Sequence, residues 1–143
     1  MQYWLMKTEP DAFSFADLQR LQVGQWDGVR NYAARNFMRQ MQLGDLVMIY
    51  HSNVGKCCVG VARVVRSHYP DPTTDDPRWS CVDIAPVIPL QLQVSLEQIK
   101  AEYGGSGPLG QIEMIRQNRL SVVPLRPSEW ARLLTLAQTQ LPD

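Results

Sequence analysis

Residues 26–36 combine side chains that bind planar and anionic ligands. The segment contains two aromatic residues, Trp26 and Tyr32, and two arginines, Arg30 and Arg35. Aromatic rings stack on planar groups, and guanidinium groups bind phosphate oxygens in a fixed geometry. The combination could therefore accept a nucleotide.

A purely structural interpretation of the same segment stays open. Most tryptophans contribute to protein cores, so Trp26 could be a core residue. Arg30 could pair with Asp27, and Asn31 could serve only as the N-cap of a helix. Asp27 and Gly28 favour a turn, because glycine tolerates a positive φ.

A second group of hydrogen-bonding side chains follows an apolar strand. Tyr50, His51, Ser52 and Asn53 lie where that strand ends. They could form the polar mouth of a small barrel. They could equally well be residues that suit a reversal of the chain.

Trp79 follows a polar loop and begins another predicted strand. It is either a core residue or the second wall of a stacking pocket. With Trp26 it could enclose a planar group, at about 1–3 kcal/mol for each stacked base. Ser52 or Asp83 would then contact the edge of the ring.

Cys57, Cys58 and Cys81 lack the spacing of a metal site, because no Cys-x-x-Cys or His-x-x-x-His pattern accompanies them. Three cysteines, two of them adjacent, also do not form a disulfide framework. A reducing, cytoplasmic setting is therefore expected. A catalytic pair of a cysteine with His51 or His68 stays open, whereas paired carboxylates of the glycosidase type are not found on one helical face.

The composition is typical of a soluble globular protein of one domain, residues 1–143. A net charge of zero argues against coating nucleic acid by bulk electrostatics. Residues 1–70 nevertheless hold eight basic and five acidic residues, a local charge of +3 that the remainder balances. No apolar run is long enough to span a membrane, and the first residues do not resemble a signal peptide.

The first half of the chain predicts a strand, two helices and a hairpin. The predicted elements are a strand over residues 3–7, a helix from an N-cap at Ser14 through Leu21 with a Phe13–Leu18 staple, a helix from Asn31 to a turn at 43–45 with apolar positions 33, 34, 37, 38 and 41, and hairpin strands over 46–52 and 57–69. Gly60 within the last of these strands indicates a bulge or a close approach.

The second half predicts shorter elements around loops. They are a loop over 70–77, a strand over 79–87 that weakens at Pro86 and Pro89, a helix capped by Ser95 and Gln98 that runs to Tyr103, a break over 104–108, an ambiguous segment over 110–118, a strand over 119–125 and a helix with Pro127 at N1. Together these elements predict an α+β fold, with a mixed, mainly antiparallel sheet curled into a small barrel and helices outside.

Several blocks, in order along nearly the whole chain, resemble the EVE domain family. They are Tyr3-Trp4-Leu5-Met6-Lys7-Thr8-Glu9-Pro10, Trp26-Asp27-Gly28-Val29-Arg30-Asn31-Tyr32 with Ala34-Arg35-Asn36-Phe37, Tyr50-His51-Ser52-Asn53, Tyr69-Pro70-Asp71, Pro77-Arg78-Trp79 with Val82-Asp83, and Arg119-Leu120-Ser121-Val122 with Pro124-Leu125. The resemblance implies a PUA-like fold, a curled mixed β-barrel with flanking helices, related to the YTH domains that bind methylated adenine.

The resemblance also implies a non-enzymatic function, in which a modified base is flipped into an aromatic-lined pocket. The expected ligand is modified cytosine in DNA, such as 5-methylcytosine or 5-hydroxymethylcytosine. No cofactor, metal or membrane is implied, and any downstream effect would require an unidentified effector protein. Within the matching motifs, we assign Trp26 and Trp79 as pocket walls, Lys7, Asn31, Tyr50, Ser52 and Asp83 as edge or rim contacts, and Arg30 and Arg35 as phosphate contacts.

This sequence departs from the family pattern at two residues and one loop. Thr8 replaces the usual serine, and Ala33 stands where glutamine is common. The loop over 70–77 is shorter than in many relatives, which could open one side of the pocket.

Two other functions remain open at this point. One is an RNA-binding module of the PUA-like type that acts on tRNA or rRNA, which a preference for the 2′-hydroxyl would reveal. The other is an enzyme that uses Cys58, Cys81 or His51, which requires a thiol of depressed pKa.

Overall fold

The computed structural model describes residues 1–142, which form six β-strands and five α-helices. The strands are β1 (Tyr3–Thr8), β2 (Gly24–Trp26), β3 (Leu46–His51), β4 (Cys57–Pro70), β5 (Ser80–Ser95) and β6 (Val122–Leu125), and the helices are α1 (Phe15–Leu21), α2 (Tyr32–Gln40), α3 (Leu96–Glu102), α4 (Glu113–Arg116) and α5 (Pro127–Leu136). None of these helices has the length and apolar character that crossing a membrane requires.

The six strands form one mixed sheet in the order β2-β5-β4-β3-β1-β6. Only β1 and β3 are parallel, and the other neighbours are antiparallel. The predicted α+β fold, with a mixed, mainly antiparallel sheet and helices outside, is therefore confirmed.

The sheet curls around α2. This helix contacts β6 at one edge and β5 near the other edge. In a flat sheet these two strands would lie about 19 Å apart, since neighbours are spaced by about 4.8 Å. A single helix is only about 10 Å wide, so the two ends of the sheet must bend toward each other.

Both faces of the sheet are covered, which explains the continuous apolar runs in β1 and β3. Trp4, Met6 and Ile49 pack with α1 and α2 on one face. Leu5 and Met48 point to the other face, as the two-residue period of a strand requires, and pack with residues of α3, α4 and α5.

Local sequence determines where the helices begin. Ser14, Asn31 and Ser95 cap α1, α2 and α3 as predicted, each accepting a hydrogen bond from a backbone N–H in the first turn. Pro127 occupies the first position of α5. On α2, Ala34 and Met38 are buried as predicted, but Ala33 is exposed, because the helix turns that position toward solvent.

The prediction at Gly60 is confirmed in both respects. Cys58 and Gly60 pair with Tyr50 and Ile49, which are adjacent in β3, so Val59 is an extra residue of β4 and forms a bulge beside Gly60. A Cβ on Gly60 would lie 2.4 Å from Cζ of Phe15, so the ring of α1 packs directly on the backbone there. Glycine is required by this close approach.

Three predicted boundaries were wrong. β5 does not weaken at its prolines but continues to Ser95. Pro86 and Pro89 pair with β4 beside register shifts at which β5 carries extra residues, and a missing N–H is tolerated there. The last strand begins at Val122 rather than 119, and α2 ends at Gln40, before the predicted turn. Residues 24–26, for which no strand was predicted, form the short strand β2.

Candidate nucleic-acid interface

A cavity of about 570 Å³ lies where the two ends of the curled sheet approach each other. We call it the seam cavity. Residues from β1, β2, the turn after β2 and the segment before β6 surround it. It is lined by Lys7, Thr8, Glu9, Ala12, Phe13, Gln25, Trp26, Asp27, Gly28, Val29, Arg30 and Ser121.

Trp26 forms an aromatic wall of the seam cavity and also belongs to the core. It is the last residue of β2, pairs with Val82 of β5 and is 8% exposed. The ring of Phe13, which also lines the cavity, meets the indole edge-on at 5.9 Å between centroids. Packing against Phe13 therefore fixes the orientation of the exposed indole surface.

The turn after Trp26 is held by Asp71. Gly28 has a φ of +77°, as the predicted Asp-Gly turn requires, and its N–H donates to Asp71 Oδ2 at 2.9 Å. Arg30 Nη1 donates to the same oxygen at 2.9 Å, while Thr73 donates to Oδ1 through its N–H and hydroxyl. The alternative pairing of Arg30 with Asp27 is therefore wrong, since a buried carboxylate binds Arg30 from the loop after β4.

These hydrogen bonds control the ionisation of Asp71. Burial alone would raise the pKa of this carboxyl, but the donors on Thr73, Arg30 and Gly28 outweigh burial and hold the pKa well below its usual range. Asp71 therefore carries a full negative charge at neutral pH, which fixes the Arg30 guanidinium at the rim of the seam cavity.

Asp27 has a different environment from Asp71. It lies exposed on the seam cavity and forms no ion pair within residues 1–142. Partial desolvation and the nearby charge of Asp71 raise the pKa of its carboxyl. A carboxylate with no protein cation of its own is free to bind a donor on a ligand.

Trp79 belongs to an arginine–aromatic cluster beside the seam cavity and is absent from the cavity lining. We use this name for Arg30, Tyr32, Arg35, Arg78 and Trp79. Tyr32 stacks on Trp79 with 5.0 Å between centroids. The guanidinium of Arg35 lies 4.9 Å from the centre of the Tyr32 ring, and Arg78 Nη1 donates to the Tyr32 hydroxyl at 2.9 Å. Arg30 lies 5.5 Å from the Trp79 ring and Arg78 lies 5.9 Å from it. The structure therefore does not bring Trp26 and Trp79 together as two walls of one cavity.

Two other predicted rim residues are engaged by the protein itself. The side-chain oxygen of Asn31 accepts the N–H of Ala34 at 3.0 Å, which is the N-cap interaction. Asp83 accepts a hydrogen bond from the Tyr69 hydroxyl on β4. Neither Asn31 nor Asp83 lines the seam cavity.

Tyr50 and Ser52 line a second cavity of about 250 Å³, which we call the lysine cavity. Lys7 borders both cavities. Its Nζ donates to the carbonyls of Met114 and Asn118 at 3.3 and 3.1 Å, and burial lowers its pKa. The structure thus places Trp26 at the seam cavity, Tyr50 and Ser52 at the lysine cavity and Lys7 at both. The other predicted pocket residues, Asn31, Trp79 and Asp83, line neither cavity.

The cysteines and His51 show the opposite of what nucleophilic catalysis needs. Burial raises the pKa of Cys57 and Cys58, and it raises the pKa of Cys81 to about 11. His51 Nε2 accepts the backbone N–H of Phe15 at 3.1 Å, and burial lowers the pKa of this imidazole. Within residues 1–142, no group of three His, Cys, Asp or Glu side chains could hold a metal ion.

The sequence prediction missed several residues of the seam cavity, namely Thr8, Phe13, Gln25, Asp27 and Ser121. Asp27 is adjacent to Trp26, and Thr8 and Ser121 lie within motifs that the resemblance uses. Their proximity to those motifs was the available signal. Gln25 had no such signal, because a three-residue strand is too short for its alternation of buried and exposed residues to be detected in the sequence.

Comparison with known proteins places this geometry in a family. A model of the EVE domain matches residues 2–136. Thymocyte nuclear protein 1 of Mus musculus is 38% identical, over 96% of this chain and 74% of the mouse protein. A crystal structure from Agrobacterium tumefaciens superposes with a TM-score of 0.92 at 35% identity and covers 100% of both chains.

The human relative has been solved with nucleic acid. The crystal structure of human THYN1 protein in complex with DNA containing 5-methylcytosine superposes with a TM-score of 0.89 at 34% identity, over 98% of this chain and 99% of that one. On the evidence of these matches, this chain belongs to the EVE domain family.

Proposed function

We propose that this protein binds DNA that contains a modified cytosine, and that the modified base lies extruded in the seam cavity. The observation that supports the proposal most strongly is a Trp26-walled cavity that holds the Asp27 carboxylate, unpaired within residues 1–142, in a chain that is 34% identical to human THYN1, whose structure contains DNA with 5-methylcytosine. No chemical step on the base is part of the proposal.

The energetics of base extrusion set what the seam cavity must provide. Removing a base from its stack costs a few kcal/mol, and stacking on one aromatic ring returns about 1–3 kcal/mol. The indole of Trp26 provides that surface, and Phe13 keeps it in place. The cavity volume of about 570 Å³ lies within the range of ordinary ligand sites, about 300–1,000 Å³.

Asp27 and Gln25 would distinguish cytosine from thymine. The exocyclic amine of cytosine is a donor, whereas thymine has a carbonyl oxygen at the same position. The Asp27 carboxylate, free of ion pairs within residues 1–142, is an acceptor for that amine. The Nε2 of Gln25 donates one hydrogen to the Tyr69 hydroxyl at 3.0 Å, and its second hydrogen can donate to cytosine O2 or N3. We assign these two residues as edge contacts together with Lys7, the one sequence-predicted edge residue that lines the seam cavity.

The arginine–aromatic cluster would hold the DNA backbone beside the cavity. Tyr32 is 48% exposed, and its ring is already stacked on Trp79. Arg30, Arg35 and Arg78 surround the two rings. Such groups bind phosphates and stack on unpaired bases regardless of sequence. In this proposal Trp79 supports the exposed Tyr32 instead of forming a wall of the base pocket.

Tryptophan fluorescence tests the proposal directly. Short single-stranded DNAs with one cytosine, 5-methylcytosine, 5-hydroxymethylcytosine or N6-methyladenine, and an RNA counterpart, are titrated at fixed low salt. We expect quenching that depends on a modified cytosine, because the base stacks on Trp26. The quench should disappear in Trp26→Phe, and Trp130→Phe on the opposite face of the sheet is the matched control.

A second arm uses Asp27→Asn, which should reduce the preference for cytosine over thymine by about 1–3 kcal/mol while leaving the fold intact.

Equal quenching by modified and unmodified strands, unaffected by Trp26→Phe, would overturn the proposal. A stronger response to the RNA strand would assign the protein to RNA instead. Mass spectrometry of the recovered strands should show unchanged bases.

A further inference from the structure

The lysine cavity gathers every lysine of the chain. Lys7 comes from β1, Lys56 from the turn between β3 and β4, and Lys100 from α3, while the other eleven basic residues are arginines. No acidic residue lines this cavity, and within residues 1–142 no lysine takes part in an ion pair. Three positive charges therefore border one cavity whose lining has no carboxylate, and Coulomb attraction favours an anion there.

A buried hydroxyl points to a ligand in the same cavity. Tyr50 is only 4% exposed, and within residues 1–142 no hydrogen bond involves its hydroxyl. The protein does not fully enclose this oxygen, and Tyr50 lines the lysine cavity, so the hydroxyl faces the space of the cavity. Burial raises the pKa of Tyr50 to about 12, so the hydroxyl stays protonated and can donate a hydrogen bond at neutral pH.

The remaining walls limit the size of the ligand. Leu96, Met114 and Ile115 provide apolar surface, and Ser52 and Asn53 add polar groups at one side. The volume of about 250 Å³ is below the usual range of about 300–1,000 Å³ for sites that enclose a whole small molecule. A single small anionic group fits this space better than a base.

We propose that the lysine cavity is a phosphate-binding site, in which the ammonium groups of Lys56 and Lys100 and the hydroxyl of Tyr50 bind the phosphate oxygens. Lysine acts on phosphate as a point charge, and hydrogen bonds to a charged oxygen are stronger than neutral ones. The Nζ of Lys7 already donates to two carbonyls of the α4 region. Lys7 therefore contributes its positive charge, from the side of the seam cavity, and not a direct hydrogen bond to the phosphate.

Two sources of the phosphate share this chemistry. One is the backbone phosphodiester of a DNA strand whose base lies in the seam cavity, because Lys7 borders both cavities. This source rests on the proposed function. The other is a free phosphate or a mononucleotide, which does not require that the protein binds DNA at all.

The first experiment measures the free anion. Amide NMR spectra of the full chain are recorded with sodium phosphate and with sodium chloride at equal ionic strength. We expect phosphate to shift signals of residues around 50–56, 96–100 and 114–118. The shifts should be lost in the double variant Lys56→Met/Lys100→Met and weakened in Tyr50→Phe. Arg63→Met, which removes an exposed cation from β4 outside the cavity, is the control that should keep them.

The second experiment measures the salt dependence of binding to single-stranded DNA. Each phosphate contact contributes about 0.7 to the slope of log K against log salt concentration. If the site holds a backbone phosphate, the double lysine variant should reduce the slope by about 0.7 and lower the affinity for modified and unmodified strands equally. Trp26→Phe should instead remove only the preference for the modified base.

The outcomes separate this proposal from the proposed function. A reduced slope assigns the cavity to the DNA backbone, and phosphate-specific shifts with an unchanged slope assign it to a free phosphate. If no strand binds, the proposed function fails, and the phosphate titration still tests the cavity. If the double variant changes neither the slope nor the phosphate shifts, the phosphate site is disproved.

Discussion

At the scale of single residues, Asp71 links two separate segments of the chain at the candidate site. Its two oxygens accept hydrogen bonds from Gly28, Arg30 and Thr73, and so join the turn after β2 to the loop after β4. The turn borders the seam cavity, and the loop leads to Trp79 in the arginine–aromatic cluster. One buried carboxylate therefore fixes the relative position of the two surfaces that we assign to the base and to the backbone.

Gly60→Ala is expected to destabilise the protein by about 1–3 kcal/mol, the usual cost of overpacking. Its Cβ would lie 2.4–2.6 Å from three carbons of the Phe15 ring. Urea unfolding measures the difference in free energy. Gly107→Ala is the matched control, since a Cβ there would meet no atom within 4 Å. Combining Gly60→Ala with Phe15→Leu should recover part of the loss, and an unchanged stability of Gly60→Ala would contradict the packing at this site.

Residue-level predictions succeeded where the determinant is local. The N-cap function of Ser14 or Asn31 depends on backbone atoms three residues away, so the sequence contains the information. The division of Trp26 and Tyr50 between two cavities depends on how the sheet curls. No sequence spacing encodes that curl, and pocket membership was therefore predicted only as a single undivided set.

At the scale of elements, α1 is attached to β3 through His51. The imidazole Nε2 accepts the N–H of Phe15, the first residue of α1, at 3.1 Å. Only an unprotonated nitrogen can accept this hydrogen bond, and burial lowers the pKa of His51. The resulting stability is complete above the unfolded pKa, about 6.5, and is lost as the pH falls below it.

His51→Gln should make the unfolding free energy less sensitive to pH between 7.5 and 5.5, since an amide oxygen can accept the same hydrogen bond without titrating. The effect expected from one hydrogen bond is about 1 kcal/mol. Thermal unfolding of the wild type and the variant at the two pH values measures it. His68→Gln, at an exposed position of β4, is the control. Identical pH dependence in the wild type and His51→Gln would show that this contact does not stabilise α1.

The prolines of β5 show why the boundaries of elements were harder to predict than their existence. Pro86 and Pro89 lack an N–H, which ordinarily ends a central strand. Here they pair with Ala62 and Gly60, beside register shifts at which β5 itself carries extra residues, so the ladder tolerates them. The positions of these extra residues depend on the register with β4, which is a non-local feature that the sequence of β5 alone does not reveal.

At the scale of the whole molecule, α2 holds both ends of the sheet together by contacting β5 and β6. We expect residues 1–142 to unfold as one cooperative unit, consistent with the predicted single domain. Far-UV circular dichroism and tryptophan fluorescence should then give coincident thermal transitions, and the calorimetric enthalpy should equal the van't Hoff enthalpy. Two separated transitions would show that the α1–α2 face and the α3–α5 face are independent.

The distribution of lysines has a practical consequence for chemical labelling. Reagents that modify primary amines react with lysine and with the N-terminus but not with arginine. Because Lys7, Lys56 and Lys100 all border one cavity, such a reagent would modify this region and the N-terminal amine and leave the arginine–aromatic cluster untouched. Acetylation or cross-linking would therefore report on one side of the molecule, and protection of these three amines would map what occupies it.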